Sequence, residues 1–244
     1  MKLTGLIAAL LVASVNVATA QTADEIVEKH LAAMGGRDAL GRIRTRVSTG
    51  TVTLTTAVGP VSGTVEAFAK APNKSRTLIT LDLTSLGAGK IISDQRFDGT
   101  TGYVIDTMNG NRDITGSQLD VLKNNGFPTV WLDYKARGIT IALTGKDSVA
   151  GRPAYMLELT PQTGPHVRAW VDAETFMLVK TSTTIDAPPA GPLEQVTEYG
   201  DFRTVDGVKV PFSVKSINSL QTVSAVVTDV KHNVDIDETS FARP

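Results

Sequence analysis

Val208, Val210, Phe212 and Val214 alternate with Lys209, Pro211, Ser213 and Lys215 directly after the pair Asp206-Gly207. Successive side chains of an extended chain project to opposite faces, so this run makes a strand with one apolar and one polar face. Asp-Gly tolerates the positive φ of a tight reversal, so the stretch is a corner of a sheet and not a catalytic loop. Pro211 cannot donate to a ladder, which predicts an edge position or a bulge. The same punctuation recurs at Asp98-Gly99, Asn109-Gly110 and Ala150-Gly151, and Asp172 to Thr175 makes a similar break. Between these breaks, strands are predicted near 45–57, 61–71, 75–84, 89–97 and 101–107, and then near 139–149, 153–161, 165–172, 176–186, 193–203, 207–217 and 222–232. The chain is mainly β, an antiparallel meander.

Two intervals depart from that rhythm. Thr22 and Glu25 have capping-box spacing, and Ala23, Ile26, Val27, His30, Leu31 and Met34 recur on one helical face until Gly35-Gly36. A short further turn fits 37–43. Later, 116–138 holds few β-branched residues, so a helix capped by Ser117 and running to Lys123 is predicted, followed by a helical piece over Phe127 to Tyr134. These segments are expected to cover one face of the sheet as a movable lid. Ala187 to Pro192 reads as a rigid Pro-rich loop, and 21–244 as a single domain.

The N-terminus predicts an address. Lys2, an apolar run from Leu6 to Val17 and Ala18-Thr19-Ala20 form a signal-peptide pattern over 1–20, with cleavage after Ala20. The chain has no cysteine, which leaves neither a disulfide nor a lipid-modified thiol and fits the bacterial periplasm. No segment after residue 20 is long and apolar enough to span a bilayer. The net charge of −1, with signs mixed along the chain, argues against a nucleic-acid partner. A monomer is expected.

Catalytic signals are missing where they would be looked for. His30, His166 and His232 have no metal-ligand spacing and read as ordinary surface or part-buried residues. Gly87 to Lys90 lacks the first glycine and the hydroxyl residue of a phosphate loop, and no G-x-S-x-G elbow occurs. Asp235 to Glu238 is a solvated turn and not a calcium loop. The expectation is a protein without enzymatic activity, cofactor or metal.

Apolar surface is what the sequence supplies. If the sheet curls, helical cover this small leaves either a filled core or a cavity on the concave face. The candidate lining comes from the clean alternations: Tyr155, Leu157 and Leu159; Val167, Ala169 and Val171; Val208, Val210, Phe212 and Val214. Leu122, Phe127 and Trp131 are the candidate contacts from the lid.

The order of "AAMGGRDALGRI", "KAPNK", "FDGTTGY", "AGRPAYMLEL", "VDAETFMLVK", "DFRTVDGVKVPF" and "DIDETSF" resembles the LolA/LolB-like group of bacterial envelope proteins over essentially the whole chain after the signal peptide. The resemblance implies an unclosed β-barrel of about eleven strands, with helices as a lid over a cavity for acyl chains. It also implies a soluble periplasmic carrier of lipid or lipoprotein acyl chains in outer-membrane biogenesis. The alternative is an envelope interaction or stress-sensing module that binds a protein partner. Arg44 and Arg46 are candidate counterparts of a lipid-contacting arginine in that group.

Overall fold

The computed structural model describes residues 21–84, 87–186 and 191–244. The expected signal peptide and residues 187–190 of the Pro-rich loop lie outside them. Helix α1 (Ala23–Ala33) opens with the capping box in place: Glu25 N–H donates to Thr22 Oγ1 at 3.2 Å, and Thr22 N–H donates to Glu25 Oε2 at 2.9 Å. The middle of its apolar stripe is fully enclosed, with Ile26 and Val27 at 0% and Leu31 at 1% exposure, while Ala23 and Met34 at its ends are half-buried. At about 1.5–3 kcal/mol for each such side chain, the stripe makes α1 part of the core. Gly35 and Gly36, both at positive φ, end it, and α2 (Arg37–Arg42) follows as the predicted short turn.

The strands form one antiparallel sheet in two meandering arms. The first arm is β1 (Thr45–Thr56), β2 (Gly59–Lys70), β3 (Lys74–Asp82), β4 (Lys90–Phe97), β5 (Gly102–Asp106) and β6 (Arg112–Ile114). The second is β7 (Thr140–Val149), β8 (Arg152–Thr160), β9 (Val167–Asp172), β10 (Leu178–Asp186), β11 (Pro192–Val205), β12 (Val208–Ile217) and β13 (Thr222–His232). The order is β6-β5-β4-β3-β2-β1-β13-β12-β11-β10-β9-β8-β7, so β1 and β13 join the arms while β6 and β7 are left as edges. This is an unclosed, curved sheet, with 13 strands among the described residues where the resemblance implied about eleven. One unforeseen strand is β6, whose three residues are too few and too polar to show an alternation. Curvature has local causes. A Cβ on Gly63 would lie 2.0 Å from the Thr80 carbonyl oxygen, and one on Gly50 would lie 2.2 Å from that of Val226. Only glycine fits such an approach.

Pro211 is not on an edge strand, because β12 lies between β11 and β13. Its pairing with β13 runs only from Ser213 to Ile217, so the missing donor of Pro211 falls beyond the end of that ladder. Beside it on β11, Asp201 sits at φ 49°.

The insert joins the two edges. Helix α3 (Gly116–Asn124) follows Thr115, which makes no side-chain cap, and the predicted cap Ser117 instead donates its hydroxyl to Asp186 on β10. Leu122 of α3 packs on Phe97, Val104 and Ile114, a small core of its own over the first arm. The second predicted helical piece is reduced to a 3-10 turn, Val130–Leu132, since Pro128 has no N–H to extend a helix. Trp131, at its centre, is 4% exposed and belongs to the larger core with α1, α2 and strands β8, β9 and β12.

Candidate functional site

Between the concave face, α1, α2 and the insert lies a cavity of about 510 Å³. One wall is apolar and is built from Met34, Leu40, Trp131, Leu159, Val167 and Leu178. Beside Val167 and Ala169 on the same sheet face, β10 and β11 carry Thr181, Thr183, Gln195, Thr197 and Tyr199, with Thr183 paired to Val167 and Thr181 to Ala169 across the β9–β10 ladder. These are not scattered: Thr181 pairs with Thr197 and Thr183 with Gln195 across the β10–β11 ladder, which puts them on one face as a continuous stripe. Arg46 and Lys209 add positive charge, and no carboxylate stands among the described lining residues.

Arg46 is deeply placed. Burial pulls its pKa down to about 10, and among the described residues no carboxylate comes within ion-pair distance of it. Arg46 Nε–H donates to His232 Nε2 at 3.0 Å, and His232 Nδ1 lies 3.1 Å from Asp206 Oδ2. Since Nε2 must accept, His232 is neutral with its proton on Nδ1, donated to Asp206. Burial, then the neighbouring Arg46 charge, hold its pKa below the ordinary value, against the pull of Asp206. The Phe127 ring lies under the guanidinium, 5.4 Å from centroid to carbon.

His30 is 2% exposed and is no surface residue. Its Nδ1 donates to the Phe176 carbonyl at 2.8 Å, its ring leans on Trp131 at 5.0 Å, and it forms part of the cavity wall. Burial lowers its pKa as well. His166, exposed and paired with Glu158, and His232, part-buried, fit the expected surface or part-buried role.

The sequence-based lining divides into four groups. Trp131, Leu159 and Val167 stand on the cavity wall, as does Ala169. Tyr155, Leu157, Val171, Val208, Val210 and Phe212 are buried in the main core and Phe127 packs against it, while Leu122 belongs to the separate core under α3. Val214 is half-buried and on neither the wall nor the core cluster. Strand β12 is the plainest correction, since Lys209 and Pro211 from its polar alternation face the cavity. The cause is the docking of α1: Lys209 N–H donates to the Met34 carbonyl at 2.8 Å, and a Cβ on Gly35 would sit 2.3 Å from the Gly207 oxygen. That contact seals Val208, at 0% exposure, beneath the helix terminus, and Arg203 closes over the Phe212 ring at 4.4 Å.

The polar stripe escaped sequence reasoning. The available signal was Lys180 to Thr184, which is polar on both faces where β8 and β9 alternate cleanly.

No family model matches the chain, and no curated protein matches it in sequence. Solved structures do match. A LolA superfamily protein from Nitrosomonas europaea aligns over 92% of this chain and 99% of its own, with a TM-score of 0.57 at 15% identity. A DUF1329 family protein from Desulfovibrio piger aligns over 90% and 97%, with a TM-score of 0.57 at 12% identity. A domain named for outer-membrane lipoprotein sorting, from Vibrio parahaemolyticus, aligns over 90% and 95%, with a TM-score of 0.55 at 10% identity. At these identities the likeness is one of fold alone: the unclosed, curved sheet of this chain is similar to the fold of these structures.

Proposed function

We propose that the protein is a periplasmic binding protein that shelters the acyl part of a lipid or lipoprotein and performs no covalent chemistry. The observation that carries this reading is the cavity of about 510 Å³ under the helical cover, with its apolar wall centred on Trp131 and Leu159. That volume is within the range of about 300–1,000 Å³ of small-molecule sites, and apolar area removed from water contributes about 25 cal/mol per Å². The signal-peptide pattern, the absence of cysteine and the likeness to a domain named for lipoprotein sorting support the compartment and the cargo. Both parts of the helical cover carry core residues, Ile26 and Leu31 from α1 and Trp131 and Tyr134 from the insert, so admitting ligand requires the cover to lift. Among the described residues no helix is long and apolar enough to cross a membrane.

A second reading, an envelope interaction module with one protein partner, draws on the open edges β6 and β7, which can accept an added strand. Native mass spectrometry of residues 21–244 taken from a periplasmic extract separates the two. A bound lipid mass that disappears on organic extraction supports the carrier. Lipid-free protein in a stoichiometric protein complex supports the module and counts against the carrier.

A further inference from the structure

Given a carrier, the cavity's polar stripe bears on which end of the ligand enters. An acyl chain has nothing to offer Thr181, Thr183, Gln195, Thr197 and Tyr199, and burying such groups against hydrocarbon without new hydrogen bonds is costly. Within the wall they are only partly satisfied. Thr181 Oγ1 and Tyr199 OH lie 3.3 Å apart, Thr197 Oγ1 and Ser216 Oγ lie 3.1 Å apart, and Thr183 donates to the His166 carbonyl. Each hydroxyl has one proton and two lone pairs, so each of them keeps capacity for a further hydrogen bond. Among the described residues, Gln195 has no side-chain hydrogen bond at all.

Charge points the same way. Arg46 and Lys209 belong to the wall and no described carboxylate faces them. Arg46 spends its Nε–H on His232, which fixes the plane of the guanidinium and leaves its terminal nitrogens as the fork that pairs with an anionic oxygen. A ligand that is only hydrocarbon would leave this cation buried without compensation.

We propose that the cavity takes its ligand head group first: the β10–β11 stripe reads hydroxyl and ester oxygens, Arg46 and Lys209 bind an anionic phosphodiester, and the acyl chains lie on the Trp131 wall and run outward. The substrate class is an anionic glycerol phospholipid with a hydroxylated head. This rests on the carrier reading but can fail separately from it.

The test is titration calorimetry of the wild-type chain, residues 21–244, with four water-dispersed probes: dioctanoyl phosphatidylglycerol, dioctanoyl phosphatidylcholine, dioctanoylglycerol and free glycerol phosphate. The proposal expects phosphatidylglycerol to bind at least about tenfold more tightly than each of the other three. The Arg46→Gln substitution should bring phosphatidylglycerol and phosphatidylcholine within about threefold of each other. The near-isosteric Thr197→Val should weaken phosphatidylglycerol while leaving dioctanoylglycerol unchanged. Equal affinity for all three lipids overturns the head-first proposal and leaves the carrier standing. Glycerol phosphate binding as tightly as the lipid overturns it in favour of a soluble ester. No binding of any lipid overturns both. The wild-type comparison decides even if a variant fails to fold.

Discussion

Arg46 and His232 face each other across the β1–β13 ladder, joined by a 3.0 Å hydrogen bond in which the arginine donates and the imidazole accepts. A protonated His232 would turn a second N–H toward the first, so the pair exists only with neutral histidine. His30, buried against Trp131, is held neutral by desolvation. Both have folded pKa values below the ordinary 6.5, so as pH falls through that value the unfolded chain takes up protons first. Stability is therefore intact above 6.5 and is lost downward through the folded values. Melting temperature should begin to fall as pH drops below 6.5, before the carboxylates titrate, and the fall should shrink in His30→Gln. A flat profile below pH 6.5 would contradict the neutral state assigned to the two histidines.

Asp94 is the buried acid of the first arm. It accepts from Arg76 Nε at 2.8 Å and from Arg96 Nη2 at 2.8 Å, with its side chain only 5% exposed. Burial raises its pKa, but the two arginine hydrogen bonds outweigh that and hold it below the ordinary value. Asp94→Ala leaves two largely buried guanidinium groups without their anion, and should cost about 3–5 kcal/mol in urea denaturation. A loss under about 1 kcal/mol would mean that water or another acid replaces the carboxylate.

Gly63 tests the curvature. Alanine there would drive a Cβ into the Thr80 carbonyl at 2.0 Å, a collision with backbone that no rotamer relieves. Gly63→Ala should lower stability by at least about 2 kcal/mol, whereas Gly59→Ala, which meets no neighbouring atom but sits at φ 114°, should suffer through its backbone conformation alone. Equal losses would place the constraint in φ rather than in strand approach.

Much of this fold was legible because a sheet writes its faces into the sequence with period two. Tyr155, Leu157 and Leu159 alternate with period two and share one buried face, while only Leu159 reaches the cavity they are expected to line. The capping box of α1 was readable because its partners are three residues apart. What failed were features decided by distant contacts. Whether β12 turns its valines or its Lys209 and Pro211 to the cavity depends on where the end of α1 docks, more than 170 residues earlier. Likewise, Ser117 had the chemistry of a cap, but the helix starts one residue earlier at Gly116, which leaves Ser117 inside the first turn with its hydroxyl donated to Asp186 on β10. The polar stripe stayed hidden because a strand polar on both faces shows no alternation.

The central claim is that acyl chains occupy the cavity beside Trp131. The chain has two tryptophans, and the other, Trp170, lies on the opposite face of β9 under Lys180, bonded to Asp147. Titrating the Trp170→Phe protein with a lipid brominated along its chain, while following tryptophan emission, reports contact at Trp131 alone. The account predicts saturable quenching in Trp170→Phe and little in Trp131→Phe. Quenching that fails to saturate, or that is equal in the two variants, would contradict it.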